Sequence, residues 1–299
     1  MGVDGRPARH RILGVGELLW DLFPDGPRLG GAPFNVTANL RRLGHDAAFV
    51  TAVGDDELGR AALRTVDELG VEATFISVVL DLPTGTVQVE PDGDDGHRFA
   101  IHSPAAYESI GDGDALLVKI AAWRPDALVF GTVAQRSAGA RKLTGEIAAR
   151  IDPPHRLYDV NLREGSWTDA LVEDLLGLAT IVKANQDEAR VLARLLGCAP
   201  APRALGGALG DRFGTEVVCV TRGAHGAALW ANGQLAEVDG IRVDVVDSVG
   251  AGDAFAAGLL HAMLGGHASA GVLEFANRLG AVVASRPGAL PPWTPDELG

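Results

Sequence analysis

The chain has 299 residues, 47% of them hydrophobic and 22% charged, ordinary values for a globular enzyme with enough apolar mass for one large core. Its formal net charge of −13 argues against nucleic acid as a partner, because a general electrostatic grip on phosphates needs the opposite sign. No run of about 18 apolar residues offers a membrane span, and the two cysteines, Cys198 and Cys219, have no metal-ligand spacing and no disulfide framework to build.

Residues 1–11 are polar, with Gly, Pro and Arg, and lack the apolar stretch of a secretory signal. They are expected to form a disordered leader on a cytoplasmic protein, with a single domain from residue 12 to 299. Ile12-Leu13-Gly14-Val15-Gly16 predicts a strand. Asn35 to Leu43 predicts a helix with Gly44 just past its end, and Glu57 to Leu69, followed by Gly70, repeats that pattern. Residues 72–108 are rich in Val, Thr, Phe and Ile around Asp92-Gly93-Asp94-Asp95-Gly96, which predicts antiparallel strands and a hairpin. From about residue 125, the apolar runs Ala127–Phe130, Leu157–Val160, Thr180–Val182 and Val217–Val220 alternate with helical patterns at 140–151, 171–179 and 187–196. Such alternation implies a parallel sheet with helices on both faces. Cys219, inside an apolar run, is expected to be a buried thiol. Residues 198–215, with two prolines and several glycines, are expected to be a loose, helix-poor junction.

In open parallel sheets, ligands bind beyond the carboxyl ends of the strands. Asn161, Asn185 and Thr221 each follow or close an apolar run, and Gly223 comes just after the third. Each is also a routine turn residue; the candidate site rests on there being three. Asp247-Ser248-Val249-Gly250-Ala251-Gly252-Asp253 adds the chemistry. A Gly-Ala-Gly turn opens an apolar helix through Leu259, Leu260 and Met263, so its backbone N–H groups and the helix dipole favour a bound anion. Asp253, in the first turn, could take a proton from a hydroxyl held beside that anion, or could simply cap the helix. The segment lacks the further glycine of a dinucleotide fingerprint and the Gly-Lys-Ser/Thr of a P-loop.

This segment resembles the second signature of the PfkB (ribokinase-like) carbohydrate kinases, Asp-[Ser/Thr]-x-Gly-Ala-Gly-Asp. Gly30-Gly31-Ala32-Pro33-Phe34-Asn35-Val36-Thr37-Ala38-Asn39-Leu40, ending in Arg41-Arg42-Leu43-Gly44, resembles the first. Two unrelated motifs in the family's order make the resemblance specific, and it runs from about Ile12 to Trp293. It implies a three-layer αβα sandwich around a mostly parallel sheet. It also implies a small discontinuous β-sheet lid, made by residues of about 20–32 and 72–108, over a sugar site; without it, a plain edge hairpin is the simpler expectation. The resemblance makes Gly250, Ala251 and Gly252 the anion hole and Asp253 the catalytic base. Lys183-Ala184-Asn185-Gln186-Asp187-Glu188 is similar to the family's Asn-x-x-Glu element, which would let Asn185 and Glu188 act through water on Mg²⁺; a capping box is the plainer reading of the same residues. Thr221-Arg222-Gly223-Ala224-His225-Gly226 resembles the turn beside the nucleotide phosphates, and Asn277 would flank adenine. Asp247 and Val249 match part of a monovalent-cation site, implying K⁺.

Asp159-Val160-Asn161-Leu162-Arg163 resembles a strand end of fructokinase-like and 2-keto-3-deoxygluconate-kinase-like members. It implies that Asn161 faces substrate and that Arg163 stabilises the transferred phosphoryl, with a surface ion pair as the alternative for Arg163. Gly14 to Pro24 resembles the start of bacterial fructokinases, with Asp21 gripping sugar hydroxyls, Asn35 as a second contact, and Gly30 and Gly31 letting backbone approach. Where such chains carry Ala-Trp-Asp, this one has Ala106-Tyr107-Glu108, leaving Tyr107 as the aromatic wall. The implied activity is ATP-dependent phosphorylation of a sugar primary hydroxyl, with D-fructose first. Alternative acceptors are 2-keto-3-deoxygluconate, tagatose-type sugars and a nucleoside; a keto acid would call on His97, Arg98 and His102. A non-catalytic sugar- or nucleotide-binding regulator is the remaining alternative. Exposed lid edges invite pairing, and the resemblance implies a homodimer through the lid.

Overall fold

The computed structural model describes residues 9–24, 26–92, 96–111 and 113–298, with backbone alone described for 90–92 and 96–99. Residues 1–8 of the expected leader, the hairpin tip 93–95, and the His97 and Arg98 side chains therefore lie outside the described residues and side chains.

In chain order the elements are β1 (Arg11–Val15), β2 (Leu19–Phe23), β3 (Gly26–Gly30), α1 (Ala32–Arg42), β4 (Asp46–Gly54), α2 (Glu57–Glu68), β5 (Ile76–Val79), β6 (Gly85–Asp92) and β7 (Gly96–Ile101). Then follow α3 (Asp114–Trp123), β8 (Ala127–Phe130), α4 (Ala138–Glu146), β9 (His155–Asp159), α5 (Asp169–Leu176), β10 (Ile181–Asn185), α6 (Gln186–Leu196) and α7 (Pro202–Phe213). The chain ends with β11 (Val217–Thr221), β12 (Ala227–Ala231), β13 (Gln234–Val238), α8 (Ala251–Leu264) and α9 (Ser269–Ala284).

The large sheet runs β13-β12-β11-β10-β9-β8-β1-β4-β5. It is parallel from β11 to β5, and the β12–β13 hairpin closes one edge antiparallel. Its central strands are apolar on both faces because helices cover both. Leu13, Leu128 and Val218 face a core shared with α4 to α7, while Ile12, Val129 and Cys219 face α1, α8 and α9. Burial in that second layer pushes the Cys219 thiol up to about 12. No helix among the described residues is long and apolar enough to cross a membrane.

Two stretches differ from the sequence expectation. Residues 202–213 form α7, with Pro202 at its first position and Gly214 closing it in the left-handed region at φ 73°. Gly206 serves packing: a Cβ on it would overlap the Trp230 ring, so the helix can lie directly on β12. Within 72–108, β5 joins the large sheet, pairing in parallel with β4.

The second sheet has the order β3-β2-β6-β7 and is assembled from two distant parts of the chain. The β2–β6 pairing is parallel and flanked by antiparallel partners. Asp56 ties this sheet to the large one. Its carboxylate caps α2 by accepting from Gly59 N at 2.7 Å, and also accepts from Thr84 N at 2.8 Å, just before β6.

Candidate active site at the strand ends

Asn161, Asn185 and Thr221 lie side by side where β9, β10 and β11 end, against the start of α8. They border a cavity of about 390 Å³. The opposite wall comes from β2, β6, β7 and the entry to α1, through Leu19, Asp21, Gly31, Asn35, Val87 and Ile101.

Gly250 is the N-cap of α8 and takes φ 78°. A Cβ there would come within 2.5 Å of the Ala289 backbone, so glycine is required twice over, by conformation and by space. No side chain caps this helix; Ala251 N donates to Ser248 O at 3.3 Å, and the remaining first-turn amides are left for a ligand. Asp253 does not cap; its carboxylate accepts from Asn35 Nδ2 at 2.8 Å. Desolvation, reinforced by Asp159, raises its pKa to about 6 against the opposing pull of Asn35, Lys183 and Arg163. A carboxylate poised there is charged at neutral pH yet basic enough to accept a proton.

Asn35 Oδ1 is buried without a hydrogen-bond partner. It sits on the same side chain that holds Asp253, so a hydroxyl donor in the cavity would satisfy it. Asp21, on β2, is buried, and desolvation raises its pKa to about 7 although Arg163 and Arg28 pull the other way. Gly30 leaves room for it: a Cβ there would stand 2.6 Å from Asp21 Oδ2. Tyr107, expected as an aromatic wall, is not at the cavity. It is 1% exposed and lies behind Gly85, whose Cβ would stand 2.8 Å from its ring. The apolar wall is aliphatic instead, made by Leu19, Val87, Ile101 and Val133. His102 is exposed and bonds Thr86 Oγ1 at 2.8 Å.

At the end of β10, Asn185 and Glu188 form a capping box for α6. Asn185 Oδ1 accepts from Asp187 N and Glu188 N at 2.9 Å, and Glu188 Oε2 accepts from Asn185 N at 2.7 Å. Glu188 Oε1 accepts from Leu162 N at 3.0 Å, so this carboxylate also fixes the Asn161–Arg163 segment. Burial raises the Glu188 pKa, with Lys183 opposing. Asn161 holds φ 37°, an uncommon conformation for a non-glycine residue and one that concentrates at functional sites. Arg163 is exposed at the cavity rim.

Two buried groups escaped the sequence reading. Lys183 Nζ bonds both Asp159 oxygens, at 3.0 and 3.1 Å, and would stand 3.4 Å from a Cβ on Gly252. Burial pulls its pKa down, but Asp159, Glu188 and Asp253 together hold it above the ordinary lysine value. A fixed positive charge therefore lies under the Gly-Ala-Gly turn. A charge inside the otherwise apolar run Thr180–Ala184 was the available signal. Glu17 is 4% exposed, accepts from Ala134 N at 3.3 Å, and is raised by desolvation to about 7.

Behind the same helix end, a second cavity of about 540 Å³ is lined by Gly223, Gly226, Ala251, Asn277, Ala281 and Ala284, among others. Asn277 Nδ2 donates to Asp239 O at 3.1 Å.

Asp247 organises the loop between the two cavities. Its Oδ1 accepts from Val249 N at 3.0 Å, and its Oδ2 accepts from Gly288 N at 2.9 Å and from Arg28 Nη1 at 3.2 Å. These residues do not fit a monovalent cation on the Asp247 carboxylate, since the Arg28 guanidinium already stands against it. Among the described residues, no group of three or more His, Cys, Asp and Glu side chains could hold a metal ion.

A model of the pfkB family of carbohydrate kinases matches residues 27–296. A fructokinase of Escherichia coli is 29% identical over 94% of this chain and 95% of its own length. An aminoimidazole riboside kinase of Salmonella typhimurium is 31% identical over 97% and 94%. Among solved structures, a Vibrio cholerae fructokinase double mutant with fructose, ADP and potassium ion bound superposes with a TM-score of 0.78 at 27% identity, covering 95% of each chain. Fructokinase of Xylella fastidiosa with bound ATP reaches a TM-score of 0.82 at 25% identity, covering 95% of this chain and 94% of that one.

Proposed function

The chain belongs to the pfkB family of carbohydrate kinases, and from that premise we propose that it transfers the γ-phosphoryl group of ATP to a primary hydroxyl of D-fructose. The observation that carries this reading is Asp253, held by Asn35 at the mouth of an uncapped helix beside a polar cavity.

The acceptor lies between the small sheet, acting as a lid, and the α8 terminus. Asp21 and the unpaired Asn35 Oδ1 take its hydroxyl hydrogens, and Gly30 and Gly31 let backbone come close. Asp253 orients the reacting hydroxyl and accepts its proton as the new P–O bond forms. The free amides of the Gly250-Ala251-Gly252 turn face the negative charge spread over the transferred group, with Lys183 beneath them and Arg163 at the rim. Catalysis of this kind is positioning and electrostatics, because phosphoryl transfer asks little covalent chemistry of the protein. Thr221, Gly223, Gly226 and Asn277 hold the nucleotide in the second cavity.

Mg²⁺, when bound with ATP, would neutralise charge between its phosphates. Asn185 and Glu188 would hold its hydration shell. Both Glu188 oxygens already carry a backbone N–H, which suits contact through water rather than direct ligation. We further propose a cytoplasmic location and a homodimer paired through the edges of the small sheet, a pairing that exposed strand edges favour; light scattering on the purified protein tests the dimer.

Release of ADP from Mg-ATP against a panel of sugars tests the assignment. The expected result is turnover on D-fructose. The 31% identity to a riboside kinase puts ribosides in the same panel as the second reading. No ADP release with any acceptor, while ATP still binds, would overturn the proposal.

A further inference from the structure

Arg28 sits at a junction that the motifs do not describe. It is on β3, directly across from Asp21 on β2 in the antiparallel register. Its guanidinium carbon lies 4.3 Å from the centroid of the Phe23 ring, and its Cδ would stand 3.6 Å from a Cβ on Gly288. The arm reaches the Asp247 carboxylate, 3.2 Å away.

Asp247 governs the anion loop. One oxygen fixes Val249, immediately before Gly250, and the other fixes Gly288, next to the Ala289 backbone on which Gly250 is packed. Four carboxylates, Glu17, Asp21, Glu188 and Asp253, line the adjoining cavity together with Lys183 and Arg163, and Ser248 and Val249 bring the Asp247 loop to its edge. A half-buried carboxylate in that company needs a counter-charge, and a mobile cation or a side chain can supply one.

We propose that Arg28 is that counter-charge. It stands in for a monovalent cation at Asp247 and, as a positioning residue, ties the acceptor-binding strands to the anion loop. Seating an acceptor on Asp21 then sets the distance between the acceptor and Gly250 through one cross-strand residue and one ion pair. The role in catalysis rests on the kinase reading above; the cation replacement does not.

The test compares wild-type, Arg28→Ala and Arg28→Lys proteins in tetramethylammonium chloride, with and without KCl or low millimolar guanidinium. The wild type is expected to turn over at the same rate in both salts, and its melting temperature without substrates to be indifferent to K⁺. Arg28→Ala is expected to lose about tenfold or more in kcat in the organic salt, to regain part of it with K⁺ or guanidinium, and to melt higher when K⁺ is added. Arg28→Lys, which keeps the charge, should retain most of the activity. A wild-type rate or melting temperature that climbs with K⁺ overturns the proposal. So does an Arg28→Ala protein that behaves as wild type, or one whose loss neither cation repairs, which would mark Arg28 as merely structural. If Arg28→Ala does not fold, the wild-type salt series and Arg28→Lys still decide. If the wild type phosphorylates no acceptor, the kinase reading fails, while the melting curves still judge the cation replacement.

Discussion

The cavity in front of α8 is walled by Glu17, Asp21, Lys183 and Glu188, all buried, with Asp253 at its centre. The cavity behind the same helix end is larger and is walled by glycines, alanines, valines and Phe255, with Arg242 as the charged exception. They share Thr221, Ser248 and Gly252. Burying charge is costly unless each group is paired or hydrogen-bonded, so the front cavity is a place where the fold accepts strain for chemistry. The rear cavity carries no such burden, and under the proposed function it would select the nucleotide by shape. Substitutions in front should therefore strike turnover, and those behind should strike nucleotide affinity.

The sharpest way to break this contrast is at Lys183. Lys183→Met is expected to lower kcat by about 10²-fold, on the scale of losing one oxyanion-hole donor. It also leaves Asp159 buried and unpaired, which costs about 3–5 kcal/mol of stability. Pairing it with Asp159→Leu should restore much of the melting temperature and none of the turnover, so steady-state kinetics and thermal denaturation on the two proteins separate the roles. A double variant that recovers activity would place Lys183 among purely structural residues.

Gly250→Ala comes next. The positive φ and the approach to Ala289 should together cost about 1–3 kcal/mol and lower kcat, since the loop cannot move without moving the anion hole; urea denaturation alongside kinetics reads both. The pH profile is a gentler probe. Asp253 must be ionised to act as base, and its pKa is raised to about 6. Its ionised fraction, and kcat/KM with it, should therefore fall as pH drops through about 6. Asp21, raised to about 7, should make that fall begin earlier. A profile flat from pH 5 to 8 would contradict both assignments. The smallest effect belongs behind the helix: Ala284→Leu should raise KM for ATP several-fold and leave kcat nearly unchanged. A fall in kcat alone would mean that the two cavities are not functionally distinct.

The same contrast bears on what a sequence displays. Asn161, Asn185 and Thr221 were visible because a polar residue ending an apolar strand is conspicuous, and Gly250 to Asp253 because small residues before an apolar helix announce a turn. The alternating strands and helices likewise pointed to the parallel sheet. Lys183 was hidden by its neighbours, since a lone charge next to an Asn-x-x-Glu element reads as the flank of a capping box. The Arg28–Asp247 pair spans 219 positions, and nothing local to either residue signals the other. Tyr107 was assigned by analogy with a tryptophan, but the space in front of it is taken by β6 at Gly85. The glycines of 198–215 read as loop because their spacing gives no hint that Trp230 packs against them.

The proposed transfer depends most on Asp253 as the proton acceptor. Turnover of Asp253→Ala on the best acceptor, with ATP binding followed by calorimetry on the same preparation, tests this directly. The expected result is a loss of at least about 10²-fold in kcat with the affinity for ATP retained. Turnover near the wild-type rate would contradict the assignment.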